Sequence, residues 1–330
     1  MKAVICKEWG GPSTLTVDDV DAGEVGHTDA RVAIYACGVN FGDILMAAGQ
    51  YQVKPDLPFI LGSEIAGEVI EVGAGVHNIK PGDRVMGLVQ NGGFAEEVVT
   101  NATTLIPIPD SMNYKTAAGF PIAYGTSHLA LTHRARLQPG ETLLVYGASG
   151  GVGLTAVEIG KKLGATVIAC ASTAEKLELT EKYGAKYTIN YTEEDIRDRV
   201  KTITGGKGAD VIFDPVGGDA FKQALRAINW EGRLLVIGFA SGEIPEVPAN
   251  LTLVKNCSIV GVYWGAYLQR NPEVLINSLK TLLSWYDGQT LHPYISAVYP
   301  LEKVADALNA LAERKSTGKV VVQIREEPES

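Results

Sequence analysis

Apolar positions over the first 110 or so residues come in short runs cut by Gly, Pro and Asn. Arg31–Ala36, Ile65–Val72 and Phe94–Val99 read as strands, and Lys80-Pro81-Gly82-Asp83 and Asn91-Gly92-Gly93 as turns between them. Dense turn signals at this spacing predict a β-rich barrel or sandwich. The rhythm changes near residue 123 and is regular from Thr142 onward. Buried-type strands at 142–146 and 166–170 alternate with helical stretches at 151–163 and 174–183, where Leu154, Val157, Ile159 and Leu163 form one apolar face. Further strands are predicted at 209–213, 233–237 and 258–262, helices at 272–286 and 301–314, and a last strand at 319–324. Strand–helix alternation of this kind predicts a parallel doubly wound sheet. The economical division is an α/β domain inserted into a β-rich one, with boundaries at 1–122, 123–264 and 265–330.

Composition narrows the class. The chain has 330 residues and a formal charge of −9, with no basic block, which argues against nucleic acid or an anionic membrane as the main partner. Cys6, Cys37, Cys170 and Cys257 form no C-x-x-C pair, so neither a disulfide framework nor a zinc ribbon is expected. No apolar run approaches the roughly 20 residues of a membrane helix, and the first residues show no signal-peptide core; a cytoplasmic protein is expected. Glycine is in excess, 37 residues against an average usage of about 7%.

Some of that glycine has a chemical reading. In Leu144-Val145-Tyr146-Gly147-Ala148-Ser149-Gly150-Gly151-Val152-Gly153 a strand runs into a glycine-rich turn that opens a helix. Ala148 stands at the first glycine of the dinucleotide fingerprint; Gly150 permits close approach of a pyrophosphate and Gly153 close packing of the helix. The N–H groups of Ser149, Gly150, Gly151 and Val152 would then hold the anion. An NAD site usually has a carboxylate at the end of the next strand. Here that place holds Ser172 and Thr173 followed by Lys176, which suits the 2′-phosphate of NADPH. The competing reading is that Thr173 caps a helix and Lys176 is a surface charge.

The motifs Gly38-Val39-Asn40-Phe41-Gly42-Asp43, Gly49-Gln50-Tyr51, Leu57 to Gly67, Lys80 to Val85, Ser149 to Gly153 and Thr317-Gly318-Lys319-Val320-Val321 cover nearly the whole chain. On them the chain resembles the medium-chain dehydrogenase/reductase superfamily, and within it the zinc-free, ζ-crystallin-like quinone oxidoreductases. The resemblance implies a Rossmann domain inserted in a GroES-like catalytic domain, NADPH as cofactor and a homodimer joined near Ser258–Val262. Zinc alcohol dehydrogenases of the superfamily carry cysteine at the place of Asn40 and histidine at that of Ser63, so no metal is expected. The resemblance places Asn40 and Asp43 beside the nicotinamide and Tyr51 over it, as the catalytic candidates. It adds Thr126, Tyr191, Gly238, Phe239, Ala240, Tyr263 and Trp264 to the cofactor-binding set, with Asn40. Arg314 and Lys319 match basic positions that reach the cofactor phosphates, although Arg314 also reads as a helix-end cation. Relatives often carry tyrosine at Leu45 and arginine at Ala47, so a more apolar acceptor site is expected here.

A quinone or enone accepts hydride without a Lewis acid, because the charge delocalises onto oxygen. The expected activity is therefore NADPH-dependent reduction of a quinone or conjugated carbonyl. An enoyl or 2-haloacrylate reductase shares every motif, and a ζ-crystallin-like structural or RNA-binding role is the alternative from another class.

Overall fold

A computed structural model describes residues 1–327. The chain divides into two compact units, Met1–Ile122 with Tyr286 onward, and Ala123–Trp285. The second break lies after Trp285 and not at the expected 264/265. The reason is packing: the helix Pro272–Asp287 buries Leu275, Ser278, Leu279 and Leu282, and Ser278 hydrogen-bonds His128 of the second unit at 2.7 Å. Both breaks fall inside helices, Pro121–His128 and Pro272–Asp287.

The first unit is built on strands β1 (Lys2–Cys6), β2 (Leu15–Asp19), β3 (Asp29–Val39), β4 (Phe59–Ile60), β5 (Glu64–Val72), β6 (Arg84–Leu88), β7 (Glu97–Asn101) and β8 (Leu105–Pro107). Its last strands follow the second unit and are described below. The pattern of β3 is nearly all buried because it is paired on both sides, with β5 and with β7, and its C-terminal half pairs with the chain's final strand. Apolar side chains from Val4, Ile34, Leu61, Ile65, Val85 and Phe94 fill the interior. Fully burying each of the larger of these contributes about 1.5–3 kcal/mol, which is what holds so loop-rich a unit together.

The second unit carries β9 (Thr142–Val145), β10 (Thr166–Ala171), β11 (Tyr187–Asn190), β12 (Ala209–Asp214), β13 (Ile228–Val236) and β14 (Ser258–Gly261). They form one sheet in the order β11-β10-β9-β12-β13-β14, every pair parallel. Leu143, Leu144, Val145, Ile168, Ile212 and Phe213 are fully buried, as central parallel strands covered by helices on both faces must be. Back in the first unit, β15 (Ile295–Pro300) and β16 (Lys319–Gln323) complete a seven-stranded sheet of order β15-β16-β3-β5-β6-β8, with β7 on β3. The doubly wound sheet inserted in a GroES-like sheet is the architecture expected from the sequence.

Candidate active site

In a parallel sheet all strands end at one edge, and the segments after them gather there. Ser149–Val152 follow β9, Ser172–Lys176 follow β10, Tyr191 follows β11, Gly238–Ala240 follow β13, and Tyr263 and Trp264 follow β14. Topology thus brings most of the expected cofactor-binding residues to one edge of the second unit, those after β9, β10 and β11 being side by side.

The turn after β9 is shaped by its glycines. A Cβ on Gly153 would lie 2.9 Å from Ala148 Cα and overlap the Gly147 carbonyl, so only glycine lets the helix Gly151–Lys162 start this close to the turn. Gly150 is the N-cap, with no side chain capping the helix, so the first-turn N–H groups face outward for an anion. The helix start is fixed from behind: Ser127 Oγ donates to the Val152 carbonyl at 2.8 Å, and Thr155 Oγ1 lies 2.8 Å from Ser127 Oγ. Thr126, beside Ser127, is itself buried. The indole N–H of Trp264 is buried without a partner, its ring seated where a Cβ on Gly125 would be. An orphaned buried donor and a helix start with no side-chain cap, packed tightly on a glycine turn, both fit a bound dinucleotide.

At the end of β10, Thr173 is the N-cap of the helix Ala174–Tyr183 and its side chain accepts from the Lys176 N–H at 3.3 Å. The capping role proposed as its competitor is therefore present. Ser172 is half-buried, and no carboxylate stands between Ala171 and Ala174. Tyr191 is 44% exposed. Absent from the sequence-based set is the turn after β12, where Asp214 Oδ1 accepts from Val216 N–H at 2.8 Å and Gly217 N–H at 3.0 Å, and Pro215 O accepts from Ala240 N–H at 3.0 Å. The strand end Phe213-Asp214-Pro215-Val216-Gly217 was the available signal.

The first unit holds a second cluster. Asn40 is the N-cap of the helix Phe41–Ala47, and its backbone N–H donates to Asp43 Oδ2 at 2.8 Å. Ser63 Oγ donates to Asp43 Oδ1 at 3.1 Å. Glu64, fully buried, is satisfied at both oxygens: Oε1 pairs with Lys319 Nζ at 2.5 Å and accepts from Asn40 Nδ2 at 2.9 Å, and Oε2 accepts from Ile122 N–H at 2.9 Å. Lys319 Nζ also donates to Asn40 Oδ1 at 2.6 Å. Strand register builds this arrangement. In the β3–β16 pairing Val320 faces Val39, so Lys319 comes beside Asn40, while β3–β5 pairing brings Gly38 beside Glu64. A Cβ on Gly38 would overlap the Glu64 carboxylate, so glycine there makes room for the ion pair.

Lys319, expected from the resemblance to reach a cofactor phosphate, here pairs its ammonium with Glu64 and donates to Asn40 within the first unit. Arg314 is exposed at a left-handed φ of 57° just beyond the helix Val304–Ala312, its N–H closing on the Leu311 carbonyl at 3.1 Å. Ala47 is fully buried, so it forms no wall of an acceptor site, whereas Leu45 is half-buried. The Tyr51 ring lies over Gly42, in the first turn of the helix Phe41–Ala47, 3.4 Å from where a Cβ would be. Burial pushes the Asp43 carboxyl up to about 7, against the Asn40 N–H, Lys319 and Ser63, which favour its ionised form. Burial holds the Cys37 thiol well above the ordinary range, so it stays protonated and unreactive. Among the described residues no group of three or more His, Cys, Asp or Glu is placed to hold a metal ion.

Comparison with known proteins places this arrangement. Residues 26–110 match the alcohol dehydrogenase GroES-like domain and residues 151–284 the zinc-binding dehydrogenase family. The quinone oxidoreductase-like protein 2 homolog of Nematostella vectensis is 48% identical over 328 residues, 98% of this chain and 89% of that protein. The chain belongs to the zinc-free quinone oxidoreductases of the medium-chain dehydrogenase/reductase superfamily. Among solved structures of this kind, the quinone oxidoreductase of Pseudomonas syringae pv. Tomato superposes with a TM-score of 0.93 at 30% identity, covering 98% of this chain and 99% of that one. The Escherichia coli quinone oxidoreductase complexed with NADPH gives 0.91 at 29% identity, covering 98% and 100%.

Proposed function

We propose that the chain is an NADPH-dependent reductase of quinones and related conjugated carbonyls. The observation that carries this reading is the glycine turn at the strand edge, next to a β10 end that offers Ser172 and Thr173, with the first carboxylate, Glu175, coming only in the exposed first turn of the next helix beside Lys176. When bound, NADPH supplies a hydride from its nicotinamide to the acceptor. The N–H groups of Ser149–Val152 hold the pyrophosphate. Ser172, Thr173 and Lys176 receive the 2′-phosphate, and Tyr191 covers the adenine. Thr126, Gly238–Ala240, Tyr263 and Trp264 would hold the remainder of the cofactor, and the Tyr51 hydroxyl would donate to the acceptor oxygen as charge develops there. Arg314 stays in this reading as a phosphate contact. Asn40, whose amide is spent on Lys319 and Glu64, shapes the site rather than touching the acceptor.

The test is NADPH and NADH consumption by the purified chain with 1,4-naphthoquinone and with simple enones. Rapid oxidation of NADPH, with NADH much poorer, is expected. Undetectable NADPH binding by fluorescence would refute the reading and return weight to a structural role.

The same reading includes a homodimer. β14 is an edge strand, and in the segment that leads into it Ile244 is 74%, Leu253 77% and Val254 61% exposed. An unpaired apolar edge is a liability that a second copy removes. Sedimentation of the wild type should give twice the chain mass, and Leu253→Glu should give the monomer.

A further inference from the structure

The acceptor gains only half of its two hydrogens from the cofactor; the other arrives as a proton. We propose that Ser63 and Asp43 form a proton relay for that step, Ser63 Oγ giving its proton to the reduced acceptor and the Asp43 carboxyl replacing it. The relay rests on the reductase reading above.

The geometry is that of a buried carboxyl behind a hydroxyl. Asp43 is 1% exposed, whereas Ser63 is half-buried and its Oγ lies 3.1 Å from Asp43 Oδ1. The other oxygen, Oδ2, is occupied by the Asn40 N–H at 2.8 Å. With Asp43 ionised, the Ser63 hydroxyl must point inward to it. With Asp43 protonated, the carboxyl donates to Ser63 Oγ and the Ser63 proton is released to point outward. One protonation thus turns a neighbouring hydroxyl from a carboxylate's partner into an outward donor. The charged and titratable groups around Asp43 are Glu64 from β5, Lys319 from β16 and the Cys37 thiol from β3. Glu64 favours the neutral acid and Lys319 the carboxylate; burial outweighs both and leaves Asp43 about 7, where an acid is most useful at neutral pH. Glu64 and Lys319 are positioning residues, acting through Asp43 and Asn40.

The step balances. An enone reduced at its β-carbon is left as an enolate. Its α-carbon forms a C–H bond with the Ser63 proton as the O–H bond breaks. Ser63 Oγ takes the Asp43 proton, and the Asp43 carboxylate recovers one from water before the next turnover. A reduced quinone leaves a phenolate-type oxygen, which water itself protonates readily, so the relay matters more for enones.

The experiment compares kcat for an enone and for 1,4-naphthoquinone from pH 5 to 9, in the full chain with saturating NADPH. It is paired with an infrared titration of carboxyl bands in the protein without cofactor. Loss of a general acid typically costs about 10²–10⁴-fold. Ser63→Ala and Asp43→Asn should therefore lower the enone-to-quinone kcat ratio at least tenfold at pH 6, with KM little changed, and Ser63→Thr should restore it. Wild-type enone kcat should fall as pH rises through about 7. Glu64→Gln should move that limb to lower pH and Lys319→Met to higher pH, opposite shifts that a merely structural role does not produce. A carboxyl band titrating near 7 should vanish in Asp43→Asn. A ratio in Ser63→Ala within threefold of wild type, or no band titrating above pH 5, would overturn the relay alone. A wild type that oxidises NADPH with neither acceptor would overturn the reductase reading and the relay with it.

Discussion

Removing the Lys319 charge is the sharpest perturbation of the first unit. In Lys319→Met, Glu64 keeps two hydrogen bonds, from Asn40 Nδ2 and Ile122 N–H, but loses the cation that pairs with it among the described residues. Breaking a buried pair from one side typically costs about 3–5 kcal/mol, because the other charge stays buried and uncompensated. The two remaining donors place this case at the lower end, about 3 kcal/mol. In Glu64→Gln/Lys319→Met both charges are gone, the amide carbonyl introduced in place of the carboxylate can still accept from Asn40 or Ile122, and the cost should fall to about 1 kcal/mol. With Glu64→Gln alone near 2 kcal/mol, since it leaves Lys319 unpaired, the coupling is about 4 kcal/mol. Native-state hydrogen exchange of the β3–β16 amides at Val39 and Val320 reads this unit by itself, where a global melt of two units would not. Singles that add up in the double variant, or a Lys319→Met cost under about 1 kcal/mol, would refute the idea that the pair is a buried, uncompensated charge system.

Other outcomes follow from the same geometry. Burial holds His128 down to about 4, with its Nδ1 2.7 Å from Ser278 Oγ. The folded form is thus favoured by neutral His128; that stability is whole above about 6.5 and is lost as pH falls toward 4, by about 3 kcal/mol in all, so His128→Asn should flatten the acid limb of a urea-midpoint profile. For Asp43 the sign is reversed. Its raised value means the fold prefers the neutral acid, so stability declines from about pH 4 to about 7, by roughly 4 kcal/mol, and Asp43→Asn should remove the decline. Gly153→Ala should cost about 1–3 kcal/mol and weaken NADPH binding at least tenfold by fluorescence titration, since the helix must move off the turn. Lys176→Ala should erode the ratio of NADPH to NADH kcat/KM; an unchanged ratio would remove Lys176 from the 2′-phosphate site.

The fold was readable because two periodicities separate cleanly. Continuous apolar runs such as Leu143-Leu144-Val145 and Val211-Ile212-Phe213 are the sequence of strands buried on both faces, and their alternation with amphipathic helices leaves little choice of topology. What escaped were elements whose patterns are weak or mixed. β11, Tyr187–Asn190, has an exposed tyrosine and only Ile189 fully buried, so it does not read as a core strand. The helix Pro121–His128 passes into a π-helical turn over Leu129–Arg134, and no simple period describes that stretch. The helix Pro272–Asp287 was legible, but its unit was not, because membership depends on Ser278 meeting a histidine 150 residues away.

The sites differ in the same way. The cradle is local: one turn of ten residues contains its strand, its glycines and its helix start, so its chemistry can be read from a short string. The Asn40–Glu64–Lys319 cluster is assembled from β3, β5 and β16 across 279 residues of chain, and nothing near Lys319 in sequence distinguishes an inward ammonium from an outward one. Position in a motif could only suggest that a cation belongs there. Pairing register decides where it points: Val320 opposite Val39 and Cys37 opposite Ile65 converge Lys319, Asn40 and Glu64 on the gap left by Gly38. The consequence reaches the chemistry, because this ammonium, with only Asn40 between it and Asp43, opposes the burial that keeps that carboxyl an acid near neutral pH.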